Sequence, residues 1–315
     1  MKDKNIKDPA ITHLIHSNFC SGDFHSMEVL KLYFNIKLIP FRMPYKITTA
    51  SFNLMQKGIR DIISVFSTIS GKEYEPRLLW NAIDEYNTMQ ELYREIATIP
   101  VTGMERLMKF MEIELAPWQE KKRLLEATVE SFQEGTRDSR MSHPDIILTG
   151  SPIFHGDRFM HLLERLEIPI RFFDFHFADG RTLTRIPVTR GEIHQLIECD
   201  ISDPVQVLAA FYLEDLCPER MVQSRKNHLE ARIERLMQYQ SFLSPGKRIH
   251  GVISHVLKFC DVYGTHRSKL KEIMQEMHGI PVLDLERDFS TGSTGQIRTR
   301  IEAFMELITN SRKER

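Results

Sequence analysis

Gly251-Val-Ile-Ser-His-Val-Leu-Lys-Phe-Cys260-Asp261 is an apolar, β-prone run that carries a cysteine to the point where the chain leaves a strand. Helical spacing follows over 267–278, then the short apolar run Pro281-Val-Leu-Asp-Leu285, then a final helix that begins near Gln296 and covers 299–307. Upstream, Asp145-Ile-Ile-Leu-Thr-Gly-Ser-Pro152 reads as a strand running into a turn. It is followed by a helix over 158–166, the strand Ile168-Pro-Ile-Arg-Phe-Phe-Asp174, and helical stretches over 205–213 and 220–240. Strands alternating with helices of this length call for a parallel sheet covered on both faces. In such a sheet the carboxyl ends of the strands form the crevice where ligands bind, so Cys260 is placed to do chemistry. The alternative for one cysteine at a strand end is a small, buried apolar residue.

The rest of the chain divides by pattern. Residues 1–49 hold one β-turn-α-β unit: a strand over 12–18, a helix from near His25, and a second strand, Ile36-Lys-Leu-Ile-Pro-Phe41. Cys20 lies after the first strand and before the helix, the same topological place as Cys260. The partial positive charge of a helix N-terminus is a setting in which thiolates occur. Residues 50–140 read as helix: Leu54, Ile59, Ile62 and Phe66 recur at helical spacing, as do Leu78, Leu79, Ile83 and Tyr86 after Pro76, with further amphipathic stretches over 103–114 and 117–134. Residues 141–315 form the doubly wound domain. The expected fold is thus α/β: two flavodoxin-like parallel-sheet units, the first incomplete, with a helical segment between them.

Composition narrows the function classes. With 42% apolar and 27% charged residues the 315-residue chain is globular, and its net charge of −1 gives no bulk attraction to nucleic acid or an anionic membrane. No window approaches the roughly 18 apolar residues of a membrane span, and the N-terminal Met-Lys-Asp-Lys-Asn-Ile-Lys-Asp lacks the apolar core of a signal peptide. A cytoplasmic protein is expected. The four cysteines (Cys20, Cys199, Cys217, Cys260) are scattered without a C-x-x-C pair, which argues against a disulfide framework. Metal binding, redox chemistry and simple burial stay open, and a shared site would be assembled from distant parts of the fold. None of the histidines shows the i, i+4 pairing of a helical zinc site.

Two turns and one carboxylate complete the candidates. Thr149-Gly-Ser-Pro152 would either offer backbone N–H groups to an anion or merely reverse the chain. Thr291-Gly-Ser-Thr-Gly295 leads into the last helix but lacks the lysine of a P-loop, which argues against nucleotide hydrolysis. Glu286 would face the crevice or pair with Arg298 or Arg300.

Several of these pieces, in this order, resemble one family. Ile147-Leu-Thr-Gly-Ser-Pro152, Ala209-Ala-Phe-Tyr-Leu213 with Cys217-Pro218, Gly251-Val-Ile with Lys258-Phe-Cys260-Asp261, Gly279-Ile-Pro-Val-Leu-Asp-Leu-Glu286 and Gly295-Gln-Ile-Arg-Thr-Arg-Ile-Glu-Ala-Phe304 are similar to the C-terminal part of the D-component subunits of 2-hydroxyacyl-CoA dehydratases and the related benzoyl-CoA reductase subunits. Asn18-Phe-Cys20, the Ile39-Pro40 strand, Pro44 and Leu78-Leu-Trp-Asn-Ala-Ile-Asp-Glu-Tyr-Asn87 extend the resemblance over nearly the whole chain.

The resemblance implies a [4Fe-4S] cluster bound by three cysteines from separate loops, with an acyl-CoA substrate reduced by one electron to a ketyl radical anion. It also implies a homologous second subunit in a heterodimer, and an ATP-dependent iron–sulfur activator protein, in anaerobic metabolism. Carried over residue by residue, Cys260 in Lys-Phe-Cys-Asp and Cys20 in Asn-Phe-Cys match the family's metal ligands. Another family cysteine lies upstream of the position of Cys20, in a segment this sequence does not contain, so the first domain is expected to lack its N-terminal part. Cys217 is the candidate to stand in as the third cluster ligand, and Cys199 is expected to be structural or exposed. The alternative is a non-catalytic or truncated relative that acts as a partner subunit without a complete cluster site.

Overall fold

The computed structural model describes residues 11–18, 20–135, 143–154, 156–189, 191–192, 198–215, 228–288 and 294–313. The chain divides into two compact units, Met1–Glu85 with Ile186–His228, and Tyr86–Arg185 with Leu229–Arg315. Both sheets are purely parallel, so the fold is α/β as expected.

In the first unit, β1 (His13–Ser17), α1 (Ser21–Tyr33) and β2 (Lys37–Phe41) make a two-stranded parallel unit whose register runs from His13 opposite Lys37 to Ser17 opposite Phe41. Helix α1 starts at Ser21, earlier than the apolar spacing around His25 suggested, because Cys20 adopts an extended conformation and its carbonyl already accepts from the Phe24 N–H at 3.0 Å. Thr48 caps α2 (Thr49–Ser70), which buries Phe52, Met55 and Ile59 at i, i+3 and i+7. Helix α7 (Pro204–Ala210) packs on α2, and Arg60 of α2 pairs with its cap Asp203 at 2.8 Å. The expected helix over 205–213 is not uniform: α7 passes into a π-helical turn, Phe211–Asp215, which sets the Tyr212 ring edge-on against Phe41.

The second unit carries the four-stranded sheet. Its strands β3 (Asp145–Gly150), β4 (Ile170–Asp174), β5 (Ile249–Leu257) and β6 (Val282–Arg287) lie in the order β4-β3-β5-β6. The order reverses between β3 and β5, which is the flavodoxin-like switch point. Alternation along β3 sends Ile146 and Leu148 to one face, with α6 (Arg158–Arg165) and α11 (Thr294–Lys313), and Ile147 to the other, with α8 (His228–Gln238) and α10 (Arg267–His278). Both faces are covered, so β3 is buried along its whole length. A Cβ at Gly251 would stand 2.5 Å from Ile308 and 3.0 Å from Phe304, so glycine there lets α11 lie directly on β5. The helical region does not stay in one piece: α2 belongs to the first unit. The later turns of α3 (Pro76–Thr98), with α4 (Gly103–Leu115) and α5 (Trp118–Gly135), close a small core of the second unit around Tyr93, Ile96, Phe110 and Leu125.

Candidate functional site

Cys20 stands where the sequence reading put it, one loop beyond the carboxyl end of β1. Asn18 clamps that loop: its amide donates to the Met43 carbonyl at 3.1 Å and its carbonyl oxygen accepts from the Met43 N–H at 2.7 Å, tying the exit of β1 to the exit of β2. Cys20 is the half-buried N-cap of α1, and its side chain makes no capping bond. The thiol folds over the first helical turn, so that a Cβ at Gly22 would lie 3.5 Å from Sγ. Behind it the His16 ring packs on Phe24 with centroids 5.4 Å apart.

Cys260 occupies the same place in the second unit. Strand β5 ends at Leu257, two residues short of the expected Phe259, because the chain turns there. Lys258 N–H donates to the Arg287 carbonyl at 2.8 Å and Cys260 N–H to the Leu257 carbonyl at 3.1 Å. Phe259 makes the turn with a φ of +67° and is 99% exposed. Cys260 is then the half-buried N-cap of the short α9 (Asp261–Gly264), again without a side-chain capping bond. Each cysteine thus follows a parallel strand at its carboxyl end and precedes a helix.

At the switch point the Thr149-Gly-Ser-Pro turn is fully occupied. Gly150 has a φ of +118°, and a Cβ on it would lie 1.9 Å from the His255 carbonyl oxygen, so no other residue fits. Ser151 donates its N–H to that same carbonyl at 2.8 Å and accepts from the Leu257 N–H at 3.0 Å. The turn therefore reverses the chain and offers no free N–H of Ser151 to an anion. Beneath it, His255 Nδ1 donates to the Ser151 carbonyl at 3.1 Å, and Arg287 donates from Nε to His255 Nε2 at 2.6 Å. Arg287 also pairs with Asp157, the N-cap of α6, and lies over the Phe159 ring. Burial, seconded by the Arg287 charge, pushes the His255 imidazole down to about 3.

On the other face a polar row crosses the sheet near its carboxyl edge: the pairing places Asp174, Thr149, Ser254 and Asp284 side by side on four strands. Asp174 accepts from Thr149 Oγ1 at 2.7 Å, Arg235 Nε at 2.7 Å and the Tyr239 hydroxyl at 2.8 Å. Burial alone would push its carboxyl up. The Arg235 guanidinium and these three hydrogen bonds outweigh it and hold the group below the usual carboxylate range. Burial and the Asp174 charge push the Tyr239 phenol far up. Arg267 approaches Asp284 at 3.6 Å. Arg232, one turn before Arg235 on α8, is 4% exposed and stands over Tyr263 of α9.

The sequence matches, over residues 5–308, the family model described as "2-hydroxyglutaryl-CoA dehydratase, D-component". The chain belongs to this family. It is also similar to "Putative dehydratase subunit YjiM" of Escherichia coli (strain K12), with 33% identity over 61 residues, 19% of this chain and 16% of that protein. That match spans less than a fifth of the relative's length.

In this D-component family chain the sequence-expected site residues are distributed as follows. Cys20 lies in the first unit and Cys260 in the second, while Cys217 and residues 291–293 lie outside the described residues. Cys199 is half-buried. Among the described residues no three His, Cys, Asp or Glu side chains gather into a group that would hold a metal ion. Of the cysteines, Cys20, Cys199 and Cys260 are among the described residues, and Cys20 and Cys260 are the two that follow strand ends. No helix of the described residues is long and apolar enough to cross a membrane.

Glu286 is corrected in two respects. It lies within β6, which runs on to Arg287, and its partner is Arg267 at 2.5 Å. Arg298 pairs instead with Glu302, and Arg300 donates to the Asp284 carbonyl. The buried Asp174, Arg232, Arg235 and Tyr239 escaped the sequence reading. The available signal was Arg232 itself, at i+3 of the buried apolar stripe Leu229, Ile233, Leu236, where a surface helix carries an apolar residue.

Proposed function

We propose that this chain is the iron–sulfur subunit of a 2-hydroxyacyl-CoA dehydratase or benzoyl-CoA reductase type enzyme, with Cys20 and Cys260 as ligands to a [4Fe-4S] cluster and Cys217 as the third. The observation that carries this reading is the shared position of the two thiols, each the uncapped N-cap that follows a parallel strand. When bound, such a cluster supplies the one-electron reduction of an acyl-CoA thioester. Around it this chain's own residues act as holders: Asn18 fixes the Cys20 loop on Met43, and the Lys258 and Cys260 backbone bonds fix the Cys260 loop on the ends of β5 and β6. A homologous second subunit, an ATP-dependent activator protein and a cytoplasmic setting belong to the same reading.

The test is anaerobic reconstitution with iron and sulfide. About four irons per cluster site are expected, with iron–thiolate charge-transfer absorbance. Both should fall in Cys20→Ala and in Cys260→Ala. No bound iron, or iron unchanged in both variants, overturns the assignment. A second reading, a non-catalytic partner subunit, is favoured by the lack of three converging donors among the described residues, and it predicts no iron in the wild-type chain.

A further inference from the structure

Beside the polar row on the β3–β5 face lies one charge that no described residue answers. Asp174 is taken by Arg235, and Asp284 and Glu286 by Arg267. Arg232 is 4% exposed, as buried as Asp174 and Arg235, and among the described residues no carboxylate pairs with it. Its Nη2 reaches only the Thr149 hydroxyl, at a long 3.5 Å, and that hydroxyl donates its own proton to Asp174. Its Nη1 is buried and has no hydrogen-bond partner among the described residues. The guanidinium plane rests on the Tyr263 ring, 5.1 Å from the centroid. A buried guanidinium with a vacant donor and no counter-charge is among the costlier arrangements a core can hold. A ligand that supplies the acceptor and the charge relieves both at once.

We infer that Arg232 is a binding residue for a ligand carboxylate, seated over the α8 side of the sheet's carboxyl edge with Tyr263 beneath the guanidinium. Charge selects the class. One guanidinium is neutralised by one negative charge, whereas a phosphate monoester carries about −1.5 to −2 and would leave buried negative charge behind. Shape agrees, since the planar fork of arginine pairs a planar carboxylate through two parallel bonds. Tyr263 belongs to the helical turn that Cys260 caps, so a ligand held here adjoins the Cys260 loop. The inference goes beyond the cluster reading and does not depend on it, because simple anions probe it in iron-free protein.

The experiment is thermal unfolding of the full chain in graded acetate, succinate or inorganic phosphate, with sodium chloride matching ionic strength. Saturable stabilisation by the two carboxylates beyond chloride, with less from phosphate, is expected. In Arg232→Met the free protein should melt no lower than wild type, because a lone buried charge has been removed, and the carboxylate shift should vanish. Arg232→Lys keeps the charge without the fork and should raise the half-saturating carboxylate concentration about tenfold. Carboxylates acting no better than chloride, phosphate acting better than both carboxylates, or either variant keeping the wild-type shift overturns the inference. Should Arg232→Met not fold, Arg232→Lys carries the test alone.

Discussion

Arg287 donates its Nε–H to Nε2 of His255 at 2.6 Å, and this fixes the protonation of a buried imidazole. The other ring nitrogen faces the Ser151 carbonyl, which can only accept, so the single ring proton sits on Nδ1 and Nε2 is a lone pair. Protonating His255 would place a second positive charge against Arg287 in a site closed to water. The folded-state pKa of about 3 therefore lies below the ordinary 6.5. Above pH 6.5 both folded and unfolded chains hold the neutral ring and nothing is lost. As pH falls from about 6.5 toward about 3 the unfolded chain alone takes up the proton, and stability should drop by roughly 1.4 kcal/mol per pH unit. Urea unfolding at stepped pH should show this slope in the wild type and a shallower one in His255→Leu. Equal slopes would show that another group governs acid unfolding.

Asp174 holds Arg235, Thr149 and Tyr239 through three hydrogen bonds in a buried site. Asp174→Asn leaves the Arg235 charge without its ionic partner and turns one acceptor into a donor facing other donors. Breaking such a pair from one side costs about 3–5 kcal/mol. Denaturant titration should register a loss of that size, in contrast to Arg232→Met, where a charge without a partner is removed. Two substitutions on the same face of the sheet are thus expected to differ, Asp174→Asn lowering stability and Arg232→Met not lowering it.

Much of this architecture is legible because apolar runs such as Asp145–Gly150 and Ile249–Leu257 are bounded by turn residues and alternate with helical spacing. The strand-end places of Cys20 and Cys260 are legible the same way, one after the run over 12–18 and the other after the run that begins at Gly251. Strand ends are less legible: Phe259 is β-prone by type, yet it sits in a left-handed turn, which propensity does not foresee. Pairing across the sheet was not legible at all. Arg235 and Asp174 are 61 positions apart. Glu286 and Arg287, which read as neighbours, alternate to opposite faces of β6, one toward Arg267 and the other toward His255 and Asp157.

Phe259 holds a conformation that costs an L-residue about 1–2 kcal/mol, and its ring recovers nothing by burial because it is 99% exposed. Phe259→Gly relieves that cost against about 0.5–1 kcal/mol of extra unfolded-chain freedom, so a net gain near 0.5–1 kcal/mol is expected. Phe259→Ala keeps the strained backbone and loses only an exposed ring, so it should leave stability near wild type. The glycine–alanine difference in urea midpoints isolates the backbone contribution, and a glycine variant no more stable than the alanine one would refute the strain.

Asn18 meets both backbone groups of Met43, and that pair of bonds holds the loop from which Cys20 enters α1. Asn18→Ala strands a part-buried N–H and carbonyl at a cost of about 1–2 kcal/mol, and Asn18→Asp restores only the acceptor half. If the Cys20 thiol is a cluster ligand, loosening this clamp should also lower the iron retained after anaerobic reconstitution, although no donor atom has been changed. The expected order of both melting temperature and iron content is wild type, then Asn18→Asp, then Asn18→Ala. Iron content equal across the three, with melting temperature in the expected order, would show that the clamp serves the first unit's stability and not the Cys20 site.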